Sequence, residues 1–168
     1  MGEAKRAEAA PEFDPARLDA FLRSALPGLE GAMAIERIAG GQSNPTFFVT
    51  YANRRLVLRK QPPGELLPSA HAVDREFRVL RALAGTPVPV PPALLFHEGR
   101  EVVGTPFYVM ERVEGRVFGT SDMKGAARED RRAMVMSFAE TLAALHDVDW
   151  RAVGLEGYGR PGNYYARQ

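Results

Sequence analysis

The stretch TFFVTYANRRLVLRK, residues 46–60, decides the fold. Its first part, residues 46–51, is β-branched and aromatic, as strands prefer. A turn at residues 52–55 leads into a second apolar run at residues 56–60. A short strand at residues 33–38 precedes both runs, so the sequence predicts a three-stranded meander.

Helices and further strands surround this meander. Asp14 and Pro15 open the first predicted helix, with Asp14 as the N-cap and Pro15 at the first helical position, and Pro27-Gly28 ends it. The other predicted elements are a helix at about residues 70–83, two strands of the same sheet at 93–97 and 107–112, and a long helix at 126–146.

Composition restricts the class of protein. Apolar residues make up 45% and charged residues 26% of the 168 positions, as in a soluble globular protein. The net charge of +1 gives no electrostatic reason to expect a nucleic-acid or membrane-surface partner. The absence of cysteine excludes disulfides, thiol nucleophiles and cysteine-ligated zinc. Without a signal sequence or a membrane-spanning run, the expected location is the cytoplasm, and residues 1–12 are expected to form a disordered polar leader.

A glycine-containing loop between the first two strands is a candidate phosphate site. In Gly40-Gly41-Gln42-Ser43-Asn44, glycines let the backbone approach a phosphate, and N–H groups and the Ser43 hydroxyl can donate to it. The spacing is not G-x-G-x-x-G, so on spacing alone an ordinary hairpin loop is the better explanation of these residues.

Arg59 and Glu76 are a candidate cation and its partner. Side chains alternate along a strand, so Val57 and Arg59 share one face of residues 56–60, and Lys60 lies on the other. Glu76, at the margin of the apolar face of the following helix, could hold the guanidinium through two oxygens. Solvated edge charges at Arg59 and Lys60 and a surface carboxylate at Glu76 are the alternatives.

A possible hinge follows the last predicted strand. The apolar run that ends at Met110 passes into the polar segment Glu111-Arg112-Val113-Glu114-Gly115. The backbone of such a segment could bind the edge of an adenine, although an ordinary core strand and turn would look the same.

Taken in order, these strings resemble the aminoglycoside phosphotransferase-like family, a branch of the kinase fold that includes choline and homoserine kinases. The likeness is greatest to phosphotransferase domains found alone in bacteria or fused to acyl-CoA dehydrogenases. It rests on Gly40–Thr46, Leu56–Lys60, Asp74–Phe77, Val88–Pro91, Thr105–Glu111 and Leu145–Asp149.

The resemblance implies an α+β fold: a protein-kinase-like N-terminal lobe at residues 13–115, with an antiparallel sheet of about five strands and a helix. Residues 116–168 would hold the hinge and the first long helix of a C-terminal lobe. It also implies ATP with Mg²⁺, a small-molecule substrate carrying a hydroxyl group, Arg59 in the place of the usual lysine, and Met110 as gatekeeper beside the adenine. The expected nucleotide-binding residues are Gly41, Gln42, Ser43, Asn44, Val57, Arg59, Glu76, Met110, Glu111 and Val113.

The family's catalytic loop is absent from this sequence. That loop is His-Gly-Asp with an Asn five residues after the Asp, whereas His146-Asp147 is followed at position 152 by Ala. Val117-Phe118-Gly119 likewise resembles Asp-Phe-Gly without the metal-binding Asp. We therefore expect no catalytic residues or metal ligands in this chain, a truncation before the catalytic loop, and no activity of the chain alone.

Two further expectations follow. One alternative function is a non-catalytic nucleotide-binding or regulatory module, and another is an interaction domain that keeps the sheet only as a scaffold. A missing lobe would leave the long helix partly uncovered, which would favour self-association.

Overall fold

The computed structural model describes residues 11–38, 44–64, 71–118, 122–159 and 162. Its elements are α1 (Pro15–Ala25), β1 (Ala34–Arg37), β2 (Thr46–Thr50), β3 (Arg55–Lys60), α2 (Val73–Leu83), β4 (Ala93–His97), β5 (Phe107–Glu111) and α3 (Arg128–His146). Every predicted element is present, with no end displaced by more than three residues. The long helix begins at residue 128 rather than 126 because Ala127 has an extended backbone and occupies the N-cap position.

The five strands form one antiparallel sheet in the order β1-β2-β3-β5-β4. The predicted meander is therefore confirmed for β1 to β3, and β5 adds beside β3. The register places Phe48 opposite Val57 and Val57 opposite Met110, so these three side chains form a row across the sheet.

One face of the sheet packs against α1 to form a hydrophobic core. Alternate residues of β2, β3 and β5 pack against α1, which contributes Leu18 and Leu22, both fully buried. Asp14 caps α1, accepting from the backbone N–H of Ala16 at 2.9 Å, as predicted. The strand residues in this core are Phe47, Val49, Leu56, Leu58, Phe107 and Val109.

Lys60 lies on the core face, opposite to Arg59. Its side chain is only 2% exposed, and its ammonium group lies 5.6 Å from the centre of the Phe13 ring. Burial lowers the pKa of Lys60, and the neighbouring Glu12 opposes this effect while Arg37 adds to it. The alternation predicted for β3 is confirmed, and the alternative of a solvated Lys60 is wrong.

The opposite face of the sheet carries α2. Phe77 of α2 lies 5.7 Å from Phe96 and 6.1 Å from Tyr108, measured between ring centres. These aromatic contacts place the helix across β4 and β5, and the acidic residue before Phe77 then lies over β3.

The chain divides into two compact units, Met1–Leu80 with Pro91–Arg112, and Arg81–Val90 with Val113–Gln168. The second unit contains α3. His146 is the last residue of this helix and Asp147 its C-cap, so this pair forms a helix end, as the sequence indicates. Among the described residues, no helix is both long and apolar enough to cross a bilayer.

Candidate active site

The centre of the candidate site is the ion pair between Arg59 of β3 and Glu76 of α2. Nε of Arg59 donates to Glu76 Oε2 at 2.6 Å, and Nη2 donates to Oε1 at 3.3 Å. This is the side-on, two-point geometry that a planar guanidinium forms with a carboxylate. The pairing expected from the sequence is therefore present.

The other terminal nitrogen of Arg59 has a separate partner. Nη1 donates to Thr46 Oγ1 at 3.1 Å, and the Thr46 hydroxyl donates to the carbonyl oxygen of Asn44 at 3.0 Å. These three contacts use three of the five N–H groups of a guanidinium, so with respect to the described residues two N–H groups remain available.

Two neutral side chains also contact Glu76. Asn44 Nδ2 donates to Oε1 at 2.8 Å, and the Tyr108 hydroxyl donates to Oε2 at 3.0 Å. Burial, and then the charge and hydrogen bond of Glu76, raise the pKa of Tyr108 well above its ordinary value, so its hydroxyl stays protonated at neutral pH. Tyr108 was not among the predicted site residues.

Asn44 lies deeper than a surface loop residue would. It is 4% exposed, and its Oδ1 lies 3.0 Å from Nδ1 of His71. An amide oxygen only accepts, so this contact requires the proton on Nδ1 of His71. Both the nitrogen and the oxygen of the Asn44 amide thus bind protein groups. This buried side chain therefore holds Glu76 in place.

An apolar row lies beside the charged cluster on the same face of the sheet. Phe48, Val57 and Met110 are cross-strand neighbours, and the Arg112 guanidinium lies 3.8 Å from the centre of the Phe48 ring. Val57 and Met110 are predicted site residues, whereas the prediction missed Phe48. The alternation of β2, which puts Thr46 and Phe48 on one face, was the signal that could have found it.

The two predicted hinge residues, Glu111 and Val113, differ in their surroundings and in the groups that they could present to an adenine. The Glu111 N–H donates to the carbonyl oxygen of Pro92 at 2.9 Å, so its carbonyl is the backbone group that could accept from an adenine. Its carboxylate accepts from Arg54 at 2.6 Å, a contact that the sequence did not indicate. Val113 belongs to the second unit, and its side chain is 70% exposed.

Gly41, Gln42 and Ser43 lie outside the described residues, so their contacts with a nucleotide stay a prediction. Within the described ranges, histidine, aspartate and glutamate side chains do not come together in threes as a metal centre would need.

An antiparallel five-stranded sheet with a helix whose carboxylate holds a β3 cation defines a kinase-like phosphotransferase fold. A sequence model described as "Phosphotransferase enzyme family" matches residues 34–168, and the chain belongs to that family.

Known proteins agree with this assignment. A solved structure from Ralstonia eutropha, of a protein assigned as an aminoglycoside phosphotransferase, is 39% identical, with a TM-score of 0.76 over 92% of this chain and 44% of its own. Acyl-CoA dehydrogenase family member 11 of Rattus norvegicus is 43% identical over 161 residues, which cover 94% of this chain and 21% of the relative. A protein assigned as an acyl-CoA dehydrogenase of Arabidopsis thaliana is 45% identical over 97% of this chain and 21% of its own length. The chain thus spans about a fifth of the two acyl-CoA dehydrogenase relatives and less than half of the solved structure.

Proposed function

We propose that this chain is the ATP-binding portion of a small-molecule kinase, which transfers the γ-phosphate of ATP to a substrate hydroxyl. The observation that carries the proposal is the Arg59–Glu76 pair beside the apolar row of Phe48, Val57 and Met110. Phosphoryl transfer depends on positioning phosphates and neutralising their charge, and a held cation next to an apolar platform supplies both needs.

The residues present fit the nucleotide. Val57 and Met110 offer an apolar surface for an adenine ring, beside the Phe48 ring on which the Arg112 guanidinium lies, and the N–H groups left on Arg59 can donate to phosphate oxygens. Mg²⁺ would come with the ATP and would neutralise part of the phosphate charge. The described residues supply no cluster that would hold the metal alone.

Binding of ATP by the 168-residue chain tests this proposal. We expect calorimetric titration with ATP and Mg²⁺ to show saturable binding, and Arg59→Ala and Glu76→Ala to weaken it. The substitution Arg55→Ala, at the exposed start of the same strand, is the matched control. An absence of binding, together with no rise in melting temperature, would favour the scaffold alternative.

A non-catalytic nucleotide-binding or regulatory module is the second candidate. Its support is the Arg59–Glu76 pair, which can hold a nucleotide and does not by itself carry out phosphoryl transfer. Both candidates require ATP binding, so phosphorylation assays, and not binding assays, separate them. Because relatives of this chain carry the name acyl-CoA dehydrogenase, hydroxyacyl-CoA compounds are the first substrate class to assay, with aminoglycosides as the second.

A further inference from the structure

The Glu76 carboxylate accepts four hydrogen bonds from three side chains. Oε1 receives Asn44 Nδ2 at 2.8 Å and Arg59 Nη2 at 3.3 Å. Oε2 receives Arg59 Nε at 2.6 Å and the Tyr108 hydroxyl at 3.0 Å. A carboxylate has about four lone-pair sites, so the four donors saturate it.

The ion pair with Arg59 would by itself hold the Glu76 carboxylate only weakly in one orientation, so the two neutral donors are needed. The Arg59 and Glu76 side chains are 30% and 35% exposed, and an ion pair open to solvent contributes little by itself. Asn44 and Tyr108 are 4% and 3% exposed, so their hydrogen bonds are shielded from water and costly to break. Asn44 and Tyr108 therefore fix the plane of the Glu76 carboxylate.

Fixing the carboxylate also fixes the guanidinium. Arg59 binds Glu76 through one edge and Thr46 through Nη1, so its plane follows the plane of Glu76. A rotation of Glu76 would redirect the N–H groups that remain on Nη1 and Nη2. Small errors in the direction of such donors reduce phosphate binding strongly.

We propose that Asn44 and Tyr108 are positioning residues, which fill the acceptor sites of Glu76 that Arg59 leaves open and thereby aim Arg59 at the nucleotide phosphates. This inference rests on the proposed ATP binding. It makes Tyr108, which lies directly opposite Arg59 in the pairing of β3 with β5, part of the phosphate site without a contact to the ligand.

The contribution of the phosphates to binding is measured as a ratio: the dissociation constant for adenosine divided by the dissociation constant for ATP with Mg²⁺. The ratio removes any general effect on the fold or on the adenine surface. We expect Tyr108→Phe and Asn44→Ala, neither of which adds a charge, to lower it about threefold to tenfold, with adenosine affinity unchanged. In an Arg59→Ala background, Tyr108→Phe should have no further effect on the ratio.

Tyr51→Phe is the matched control. Tyr51 is also 3% exposed and donates to a carboxylate, Asp19, at 2.7 Å, but it lies on the core face of the sheet. We expect a similar loss of melting temperature for Tyr51→Phe and Tyr108→Phe, and a lower ratio only for Tyr108→Phe. If Asn44→Ala does not fold, Tyr108→Phe decides alone.

Two results would overturn the inference, and they differ in what else they overturn. If Tyr108→Phe leaves the ratio unchanged while Arg59→Ala lowers it, Tyr108 has only a structural role and the proposed ATP binding survives. If the unaltered chain binds adenosine and ATP equally, or binds neither, both proposals are wrong.

Discussion

At the scale of single residues, the arginine at position 59 changes how a nucleotide site must be built. A lysine ammonium is a compact charge that can reach a carboxylate and a phosphate from one rotatable stem, whereas a guanidinium is a rigid fork whose direction matters. The contacts of Arg59 match that need, since Glu76 binds one edge of the fork and Thr46 binds Nη1.

The substitution Arg59→Lys is therefore not conservative here. We expect about tenfold weaker binding of ATP, because an ammonium cannot keep two bonds to Glu76 and one to Thr46 while contacting a phosphate. Calorimetric titration checks this, with Arg55→Lys on the same strand as the control. Equal affinity of Arg59→Lys and the unaltered chain would show that only the charge at position 59 matters.

Lys60 leads to a prediction about stability and pH. Its pKa is lowered in the folded state, so the cost of burying its charge is fully present below the folded pKa. That cost falls as the pH rises from the folded pKa towards the ordinary value of about 10.5.

The substitution Lys60→Met should stabilise the chain at pH 7 by on the order of 1 kcal/mol, because it removes a desolvated charge and keeps the volume. The gain should shrink between pH 7 and pH 10. Urea unfolding at the two pH values measures both effects. A variant less stable than the parent at pH 7 would mean that the ammonium contributes favourable contacts.

At the scale of elements, α1 is held to the sheet by apolar packing and by a polar contact. Leu18 and Leu22 enter the core, and Asp19 accepts from the Tyr51 hydroxyl and from Arg23 Nε. The Tyr51 hydrogen bond, with help from Arg23, lowers the pKa of Asp19. This stabilisation is present above the ordinary pKa of 3.8 and is lost as the pH falls through the lower, folded value.

Truncation of a buried leucine tests how much α1 contributes. We expect Leu22→Ala to lower the free energy of unfolding by about 2–5 kcal/mol, since Leu22 is fully buried against the sheet. Leu142→Ala, in the half-exposed surface of α3, should cost less than about 1 kcal/mol. Equal losses in denaturant unfolding of the two variants would contradict the assignment of the core to α1.

The helix α3 has an apolar surface that stays open. Its large apolar side chains are between 40% and 69% exposed, and they are Val135, Met136, Phe138, Leu142 and Leu145. Val135, Phe138, Leu142 and Leu145 recur at helical spacing on one face, and an exposed apolar face of this kind is uncommon on a monomer. We propose that it drives self-association of the 168-residue chain.

Sedimentation over a range of concentrations checks this proposal. The double substitution Phe138→Ser with Leu142→Ser should shift the distribution towards the monomer, because it removes the apolar area that association would bury. The control is Glu140→Ser on the same helix. A chain that is monomeric at all concentrations before any substitution would refute the proposal.

At the scale of the whole molecule, the match to a family model establishes the family of the chain. The chain matches the phosphotransferase family over residues 34–168 and spans about a fifth of the curated relatives. We predict that the 168-residue chain alone transfers no phosphate from ATP to an aminoglycoside or a hydroxyacyl-CoA, since its sequence holds no His-Gly-Asp loop. Steady product formation, abolished by Glu76→Ala, would contradict this.

Local rules explain which parts of the site could be predicted. Covalent geometry makes side chains alternate along a strand, so the sequence sufficed to put Val57 and Arg59 on one face and Lys60 on the other. Helical spacing placed Glu76 beside the apolar face of α2, where it could turn inward.

What the sequence by itself determined, then, is the set of elements, the faces of each strand and the family. The tertiary structure alone decided that Tyr108 and Asn44 meet Glu76 and that Phe48 joins Val57 and Met110. Those contacts depend on which strands become neighbours, on the register between them and on the position of α2. Packing of the whole sheet determines which strands are neighbours and in what register, and short-range sequence patterns do not predict either.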